Sequence, residues 1–284
     1  VQRTWQNPKV TASSAPALPK LIATDLDGTL LRSDRTVSQR TTSVLESCAA
    51  AGIEVVLVTA RPHRTVGQLA RQLGSVATAI CANGAAVLDV ASSAAQLVHA
   101  FEVEQALAIV ADLRSKLPPR TGFALETGGE VFCEPAFRRG LISGDSAVVI
   151  ADLSLAQPIG GHYVKVLARD ESANADDLVT IARDVLGSRA EASQSGGRGL
   201  VEIAPPGATK AGTLAWHCAR RGIDARDVVA FGDMPNDLPM LTWAGTAYAV
   251  ANAHADVLAV VDRVTASNDE DGVAVALEAL LASH

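Results

Sequence analysis

Two aspartates stand two positions apart in Asp25-Leu26-Asp27-Gly28-Thr29, directly after the apolar run Leu21-Ile22-Ala23-Thr24. Carboxylates at a strand's carboxyl end can project into the crevice where α/β sheets bind ligands, and paired there they can hold a hard cation. An ordinary turn would also use these residue types, and the buried strand before them weighs against that reading. A second acidic group, Gly232-Asp233-Met234-Pro235-Asn236-Asp237, follows the apolar run Val228–Phe231. Alone it reads equally well as a turn and helix N-cap. Two such clusters at strand ends of one sheet favour convergence on a metal.

The cationic partners are fewer. Lys210, in Pro205-Pro206-Gly207-Ala208-Thr209-Lys210, opens a helix. The partial positive charge of a helix N-terminus disfavours a cation there unless an anion offsets it. A phosphate fits that requirement, and a solvated surface lysine is the competing reading. Thr59-Ala60-Arg61 follows another apolar run and adds a hydroxyl, backbone N–H groups at a helix start and a guanidinium. Taken singly, it is a helix cap beside a surface arginine.

These residues need a scaffold that brings strand ends together. The pattern predicts a strand at Leu21–Thr24, a helix over Val37–Ala51, and a strand at Ile53–Val58. A helix running from Pro62 to Leu73 and a strand at Ala77–Cys81 follow. Alternation at this spacing predicts βαβ units and a parallel sheet covered on both faces. After Asn83-Gly84 short strand-like segments dominate, with helices near Val103–Leu117 and Ala175–Leu186. This stretch reads as an α+β insertion over 85–195, within a core of residues 20–84 and 196–284. The first texture returns with strands at Leu200–Ile203, Val228–Phe231 and Thr246–Val250. Helices at Thr209–Arg221, at Asn236–Ala244 and from Gly272 accompany them. Gly196-Gly197 with Gly199 forms a plausible hinge. Residues 1–19 carry Asn7-Pro8, Ser13-Ser14, Pro16 and Pro19 without periodicity, which predicts a flexible leader.

Composition bounds the function. At 284 residues the chain suits roughly two domains, and 48% hydrophobic with 19% charged residues suits a folded chain. Twenty-four basic against 31 acidic residues give a net charge of −7, so no general attraction to nucleic acid or anionic membrane is expected. Cys48, Cys81, Cys133 and Cys218 lie far apart and read as reduced core residues. No membrane-spanning or signal segment is evident, which points to the cytoplasm. Nothing in the sequence sets an oligomeric state.

In order, the four segments resemble the motifs of the haloacid dehalogenase superfamily of phosphotransferases. Asp25-Leu26-Asp27-Gly28-Thr29-Leu30 looks like the first, Thr59 the second, Lys210 the third, and Gly232-Asp233 with Asn236-Asp237 the fourth. Asn83-Gly84-Ala85, Ser267-Asn268 and Asp271-Gly272-Val273-Ala274 are similar to the Cof-like subgroup of sugar-phosphate phosphatases, which carries its type IIB cap where the insertion lies here. Ala60 and Ala211 stand where many relatives have glycine, and neither change removes a catalytic group.

The resemblance implies a Rossmann-like parallel sheet core with an inserted α+β cap. It also implies a Mg2+-dependent phosphatase of small phosphorylated metabolites, most simply sugar phosphates. Asp25 would be the nucleophile and Asp27 the general acid and base. Mg2+ would sit on Asp25, the Asp27 backbone carbonyl and Asp233. Lys210, Thr59, Asn236 and the Leu26 and Ala60 N–H groups would hold phosphoryl oxygens. Asp237 would orient the lysine or a metal-bound water, with Arg61 and Asn83 supporting the mouth of the site. A phosphomutase on the same fold and a non-catalytic metabolite-binding protein are the alternatives.

Overall fold

The structure, a computed structural model, describes residues 18–138, 147–195 and 198–283. Most of the expected leader and the Gly196-Gly197 part of the expected hinge lie outside these residues. In chain order the first elements are β1 (Leu21–Thr24), α1 (Gln39–Ala50), β2 (Glu54–Val58), α2 (His63–Leu73), β3 (Val76–Cys81), β4 (Ala86–Asp89) and β5 (Ala95–Leu97). Next come β6 (Phe101–Glu102), α3 (Val103–Arg114), β7 (Gly122–Glu126), β8 (Val131–Cys133), α4 (Pro135–Arg138), β9 (Val148–Val149), β10 (His162–Tyr163), β11 (Lys165–Arg169), α5 (Ala175–Leu186), β12 (Glu191–Ser193) and β13 (Leu200–Ala204). The chain continues through α6 (Lys210–Arg221), β14 (Val228–Gly232), α7 (Leu238–Trp243), β15 (Thr246–Ala249), α8 (Ala255–Val260) and α9 (Gly272–Ala282).

Among the described residues, seven strands form one sheet in the order β15-β14-β1-β2-β3-β4-β5. From β15 to β3 the pairs are parallel; β4 and β5 add an antiparallel edge. Strand side chains alternate between faces, and the two faces fill different clusters. Ile22, Val55, Leu57 and Phe231 pack with α1, α2 and α9, whereas Leu21, Ala23, Val56, Val58 and Ala230 pack with α6, α7 and α8. This two-sided burial explains why the central strands read as continuous apolar runs.

The second sheet has the order β12-β13-β11-β7-β8-β9, and β6 pairs separately with β10. Its one face packs α3 and α5 through Phe123, Leu125, Val166, Val201 and Ile203. The opposite face carries Ala124, Val131, Leu167 and Leu200, with Phe137 of α4.

Sheet membership corrects two sequence assignments. Ala86–Asp89 and Ala95–Leu97, placed in the insertion, extend the first sheet, because the tight Ala82–Gly84 turn folds β4 directly back onto β3. Leu200–Ala204, placed in the core, pairs antiparallel with β11 and β12. A short buried apolar run satisfies either sheet equally, so its pattern carries no address. The second sheet therefore draws on Gly122–Ala204, beyond the expected limit at residue 195. The helix expected over Asn236–Ala244 is a 3-10 turn at Pro235–Asp237 followed by α7.

Candidate active site

β1, β2 and β14 are adjacent and parallel, so the residues after them share one edge of the sheet. Asp25 follows β1, Thr59 follows β2 and Asp233 follows β14. The register sets Thr24 beside both Leu57 and Phe231, and the Asp25 N–H continues the ladder to Phe231 O at 3.1 Å. Parallel pairing thus joins residues far apart in sequence at one site.

The Asp25 loop is tied from the chain's far end. Arg32 forms a two-bond ion pair with Asp271, Asn268 Nδ2 donates to Leu31 O at 2.9 Å, and Asn252 Nδ2 donates to Gly28 O at 2.8 Å. Gly28 has φ +77°, and a Cβ there would lie 2.3 Å from Asp233 Oδ2. No other residue type lets this loop approach Asp233 so closely.

Lys210 Nζ lies 2.9 Å from Asp25 Oδ1 and 2.7 Å from Asp237 Oδ1, and all three side chains are buried. Asp237 Oδ2 accepts from the backbone N–H groups of Asp233 and Met234, at 3.2 and 3.1 Å. Asp237 therefore locks the lysine and the Asp233 loop with one carboxylate. Asp233 Oδ1 accepts from Thr29 Oγ1 at 2.7 Å, a contact the sequence did not reveal. Thr59 is buried, and its Oγ1 accepts from the Arg61 N–H at 3.1 Å. With a lone pair engaged there, its hydroxyl hydrogen is free to be donated elsewhere.

Three carboxylates, Asp25, Asp233 and Asp237, bring oxygens within 4.8 Å of one another around a single ammonium. The electrostatic strain is legible in their acidities. Burial, then Asp237 and Asp233 acting against Lys210, raises Asp25 well above the usual carboxylate range. Burial and then Asp237 push Asp233 up to about 6, against the Thr29 hydrogen bond. Burial alone would lower Lys210, but Asp237 and Asp25 outweigh it and raise its pKa. Excess buried negative charge offered by hard oxygen donors suits a small divalent cation such as Mg2+.

Asp27 stands apart from this cluster. Its side chain is 48% exposed and is held by Arg61 through two bonds, Nε to Oδ2 at 2.7 Å and Nη2 to Oδ1 at 2.5 Å. The hydrogen bond to Asp27 raises the Arg61 pKa. Leu26 buries its side chain in the core, so only its backbone faces the loop's chemistry. Ala60 O accepts from Lys165 Nζ at 2.6 Å, Asn236 Nδ2 donates to Asn83 Oδ1 at 3.1 Å, and Asn83 Nδ2 donates to Glu202 Oε2 at 2.6 Å. Lys165 and Glu202 were missed in the sequence, although a charged residue inside an apolar strand was the available signal.

Beside Asp27 a cavity of about 370 Å³ opens between the two sheets. Arg61 and Arg64 line its core side, and Phe137, Leu167 and Arg169 line the other. Arg64 bridges the gap, donating to Glu126 Oε1 at 2.6 Å and to Gly128 O at 3.0 Å. A larger, more open concavity of about 760 Å³ on α3 is remote from the carboxylate cluster and contains none of its residues.

Comparison with known proteins identifies the family. The family model for haloacid dehalogenase-like hydrolases matches residues 22–277. Bacillus subtilis YitU, a 5-amino-6-(5-phospho-D-ribitylamino)uracil phosphatase, is 28% identical over 274 residues, covering 90% of this chain and 95% of YitU. Escherichia coli YbhA, a pyridoxal phosphate phosphatase, is 26% identical over 268 residues, covering 90% and 96%. A solved haloacid dehalogenase-like hydrolase from B. subtilis superposes with a TM-score of 0.77 at 25% identity, covering 91% of this chain and 99% of that one. No helix among the described residues is long and apolar enough to cross a membrane. With the family match spanning nearly the whole chain and its relatives named as phosphatases, the chain belongs to the haloacid dehalogenase-like hydrolase family and is a phosphatase.

Proposed function

We propose that this phosphatase hydrolyses small phosphorylated metabolites, sugar phosphates among them, through a phosphorylated Asp25 and with Mg2+ as cofactor. The observation that carries the reading is the buried Asp25–Lys210–Asp237 contact beside Asp233, at the edge where Thr59 also lies. Asp25, Asp233 and the Asp27 carbonyl would hold the cation, which when bound supplies charge neutralisation for the phosphoryl group.

A carboxylate oxygen of Asp25 forms a bond to phosphorus while the ester P–O bond breaks, its electron pair passing to the leaving oxygen. Asp27 gives that oxygen a proton, then takes one from the water that attacks the phosphorylated Asp25. Inorganic phosphate leaves and the Asp25 carboxylate is restored. Held by Arg61, Asp27 is an acceptor only, so it must exchange this partner before it can act as an acid. Lys210, the Thr59 hydroxyl, the Leu26 and Ala60 N–H groups and the Asn236 amide would hold the phosphoryl oxygens as charge spreads over them.

The cavity beside Asp27 would take the leaving group. Its apolar wall suits the face of a ring, and its arginines suit hydroxyl or anionic substituents. YitU and YbhA are named for phosphate esters that carry such a ring. We place the protein in the cytoplasm, a compartment compatible with its buried free cysteines. A panel of phosphorylated metabolites, assayed for phosphate release with and without Mg2+, tests the reading. No release from any compound under varied divalent metals would overturn it in favour of a binding protein.

A further inference from the structure

Lys165 opens β11 and Glu202 sits in the middle of the otherwise apolar β13, both in the second sheet, and both are buried. Lys165 Nζ and Glu202 Oε2 are 2.8 Å apart. Their contacts extend to the first sheet in two directions. Nζ also donates to Ala60 O at 2.6 Å, and Oε2 also accepts from Asn83 Nδ2 at 2.6 Å. Asn83 Oδ1 in turn accepts from Asn236 Nδ2 at 3.1 Å, while Ser195 Oγ donates to Glu202 Oε1 at 2.7 Å.

The direction of each bond follows from the carboxylate. An ionised Glu202 can only accept, so Asn83 must turn its NH2 towards it and its Oδ1 towards Asn236. Asn236 must answer with Nδ2. Its Oδ1 is buried without a hydrogen-bond partner, an unfavourable state that a donor such as water would relieve, while Nδ2 keeps its second hydrogen for a phosphoryl oxygen. On the other branch, the Ala60–Arg61 peptide is held at both ends, its carbonyl by Lys165 and its N–H by Thr59 Oγ1. That second bond orients the Thr59 hydroxyl. Buried ion pairs contribute little net stability, so the need for a charged pair here points to positioning.

We propose that the Lys165–Glu202 pair positions the phosphoryl subsite, acting on Thr59 and Ala60 through the Ala60 carbonyl and on Asn236 through Asn83. Neither residue of the pair touches substrate. The inference rests on the phosphatase reading of the same site and deepens it.

Three variants separate the branches. K165M/E202L replaces the pair by apolar side chains of similar length, an exchange buried pairs often tolerate, and cuts both branches. K165M/E202Q restores an acceptor for Asn83 and cuts only the Ala60 branch. N83G cuts only the Asn236 branch, at a position whose φ of 56° glycine adopts readily. The readouts are kcat and KM on aryl and alkyl phosphates, affinity for inorganic phosphate by calorimetry, and melting temperature.

Each single-branch variant should lose about 3–10-fold in phosphate affinity and kcat, and K165M/E202L about the product of the two losses. The losses should be equal on aryl and alkyl phosphates, because the network addresses only the phosphoryl end. A folded K165M/E202L that keeps both quantities within about threefold of wild type overturns the proposal. So do losses that follow melting temperature instead of branch. Should K165M/E202L not fold, wild-type phosphate affinity in both single-branch variants overturns it equally. A wild-type protein that binds phosphate but releases none from any ester refutes the phosphatase reading and leaves the calorimetric test of the network standing. One that binds no phosphate overturns both.

Discussion

Asn in place of Asp233 should make the metal-free protein more stable at neutral pH, although it removes a charged side chain from the centre of the site. Burial first, and Asp237 second, push the Asp233 carboxyl up to about 6, against the Thr29 hydrogen bond. A carboxyl whose folded pKa exceeds its unfolded one destabilises the fold when it ionises. With an unfolded value near about 3.9, the penalty develops between about pH 4 and 6 and is complete above that. Two units at about 1.4 kcal/mol each give a full penalty of about 3 kcal/mol. Asn keeps an Oδ1 for Thr29 and carries no charge, but its NH2 needs a partner, which trims the gain. At pH 7.5 about 1–3 kcal/mol should remain, a rise in Tm of roughly 2–5 °C for a chain of this size. At pH 5 the wild-type carboxyl is mostly protonated, so the gap between the two proteins should narrow by about 1.4 kcal/mol. Thermal melts in chelator at pH 7.5 and 5.0 measure both quantities. Adding Mg2+ at pH 7.5 should raise the wild-type Tm and leave the variant nearly unmoved. A variant less stable than wild type in chelator at pH 7.5, or a gap that stays constant down to pH 5, would refute the electrostatic reasoning.

Asp25→Asn should abolish turnover while inorganic phosphate still binds and the melting temperature does not fall; more than a few per cent of residual activity would remove Asp25 as the nucleophile. Asp27→Asn should cost about 10²–10⁴-fold on alkyl phosphates and less on aryl phosphates, whose leaving group needs no proton. An equal loss on both classes would argue against its role as acid. Leu167→Gln changes a half-buried wall of the cavity beside Asp27, so the ranking of metabolite phosphates should shift while acetyl phosphate hydrolysis changes little. Uniform loss across all substrates would place the leaving group elsewhere.

The first sheet was legible where apolar runs end in polar loops: Leu21–Thr24 before Asp25, Glu54–Val58 before Thr59, and Val228–Gly232 before Asp233. These runs are short, largely buried on both faces, and followed by polar residues instead of further apolar ones. The same legibility misled at Leu200–Ala204, where an equally apolar run belongs to the other sheet. Local pattern reports burial, whereas sheet membership depends on pairing with residues 30 or more positions away, such as Val166 and Ala168. That single reassignment changes the reading of the site. Placed in a core strand, Glu202 is an unexplained charge; placed in the inserted sheet, it pairs with Lys165 and reaches Asn83 across the junction. Asp27 shows the complementary limit. Its spacing from Asp25 was visible, but its turn towards Arg61 depends on where β2 ends relative to β1, which register sets and sequence does not. On the proposed reading the phosphoryl subsite is built jointly by both sheets: one supplies the residues that would meet the phosphoryl group, and the other the buried charges that would orient them.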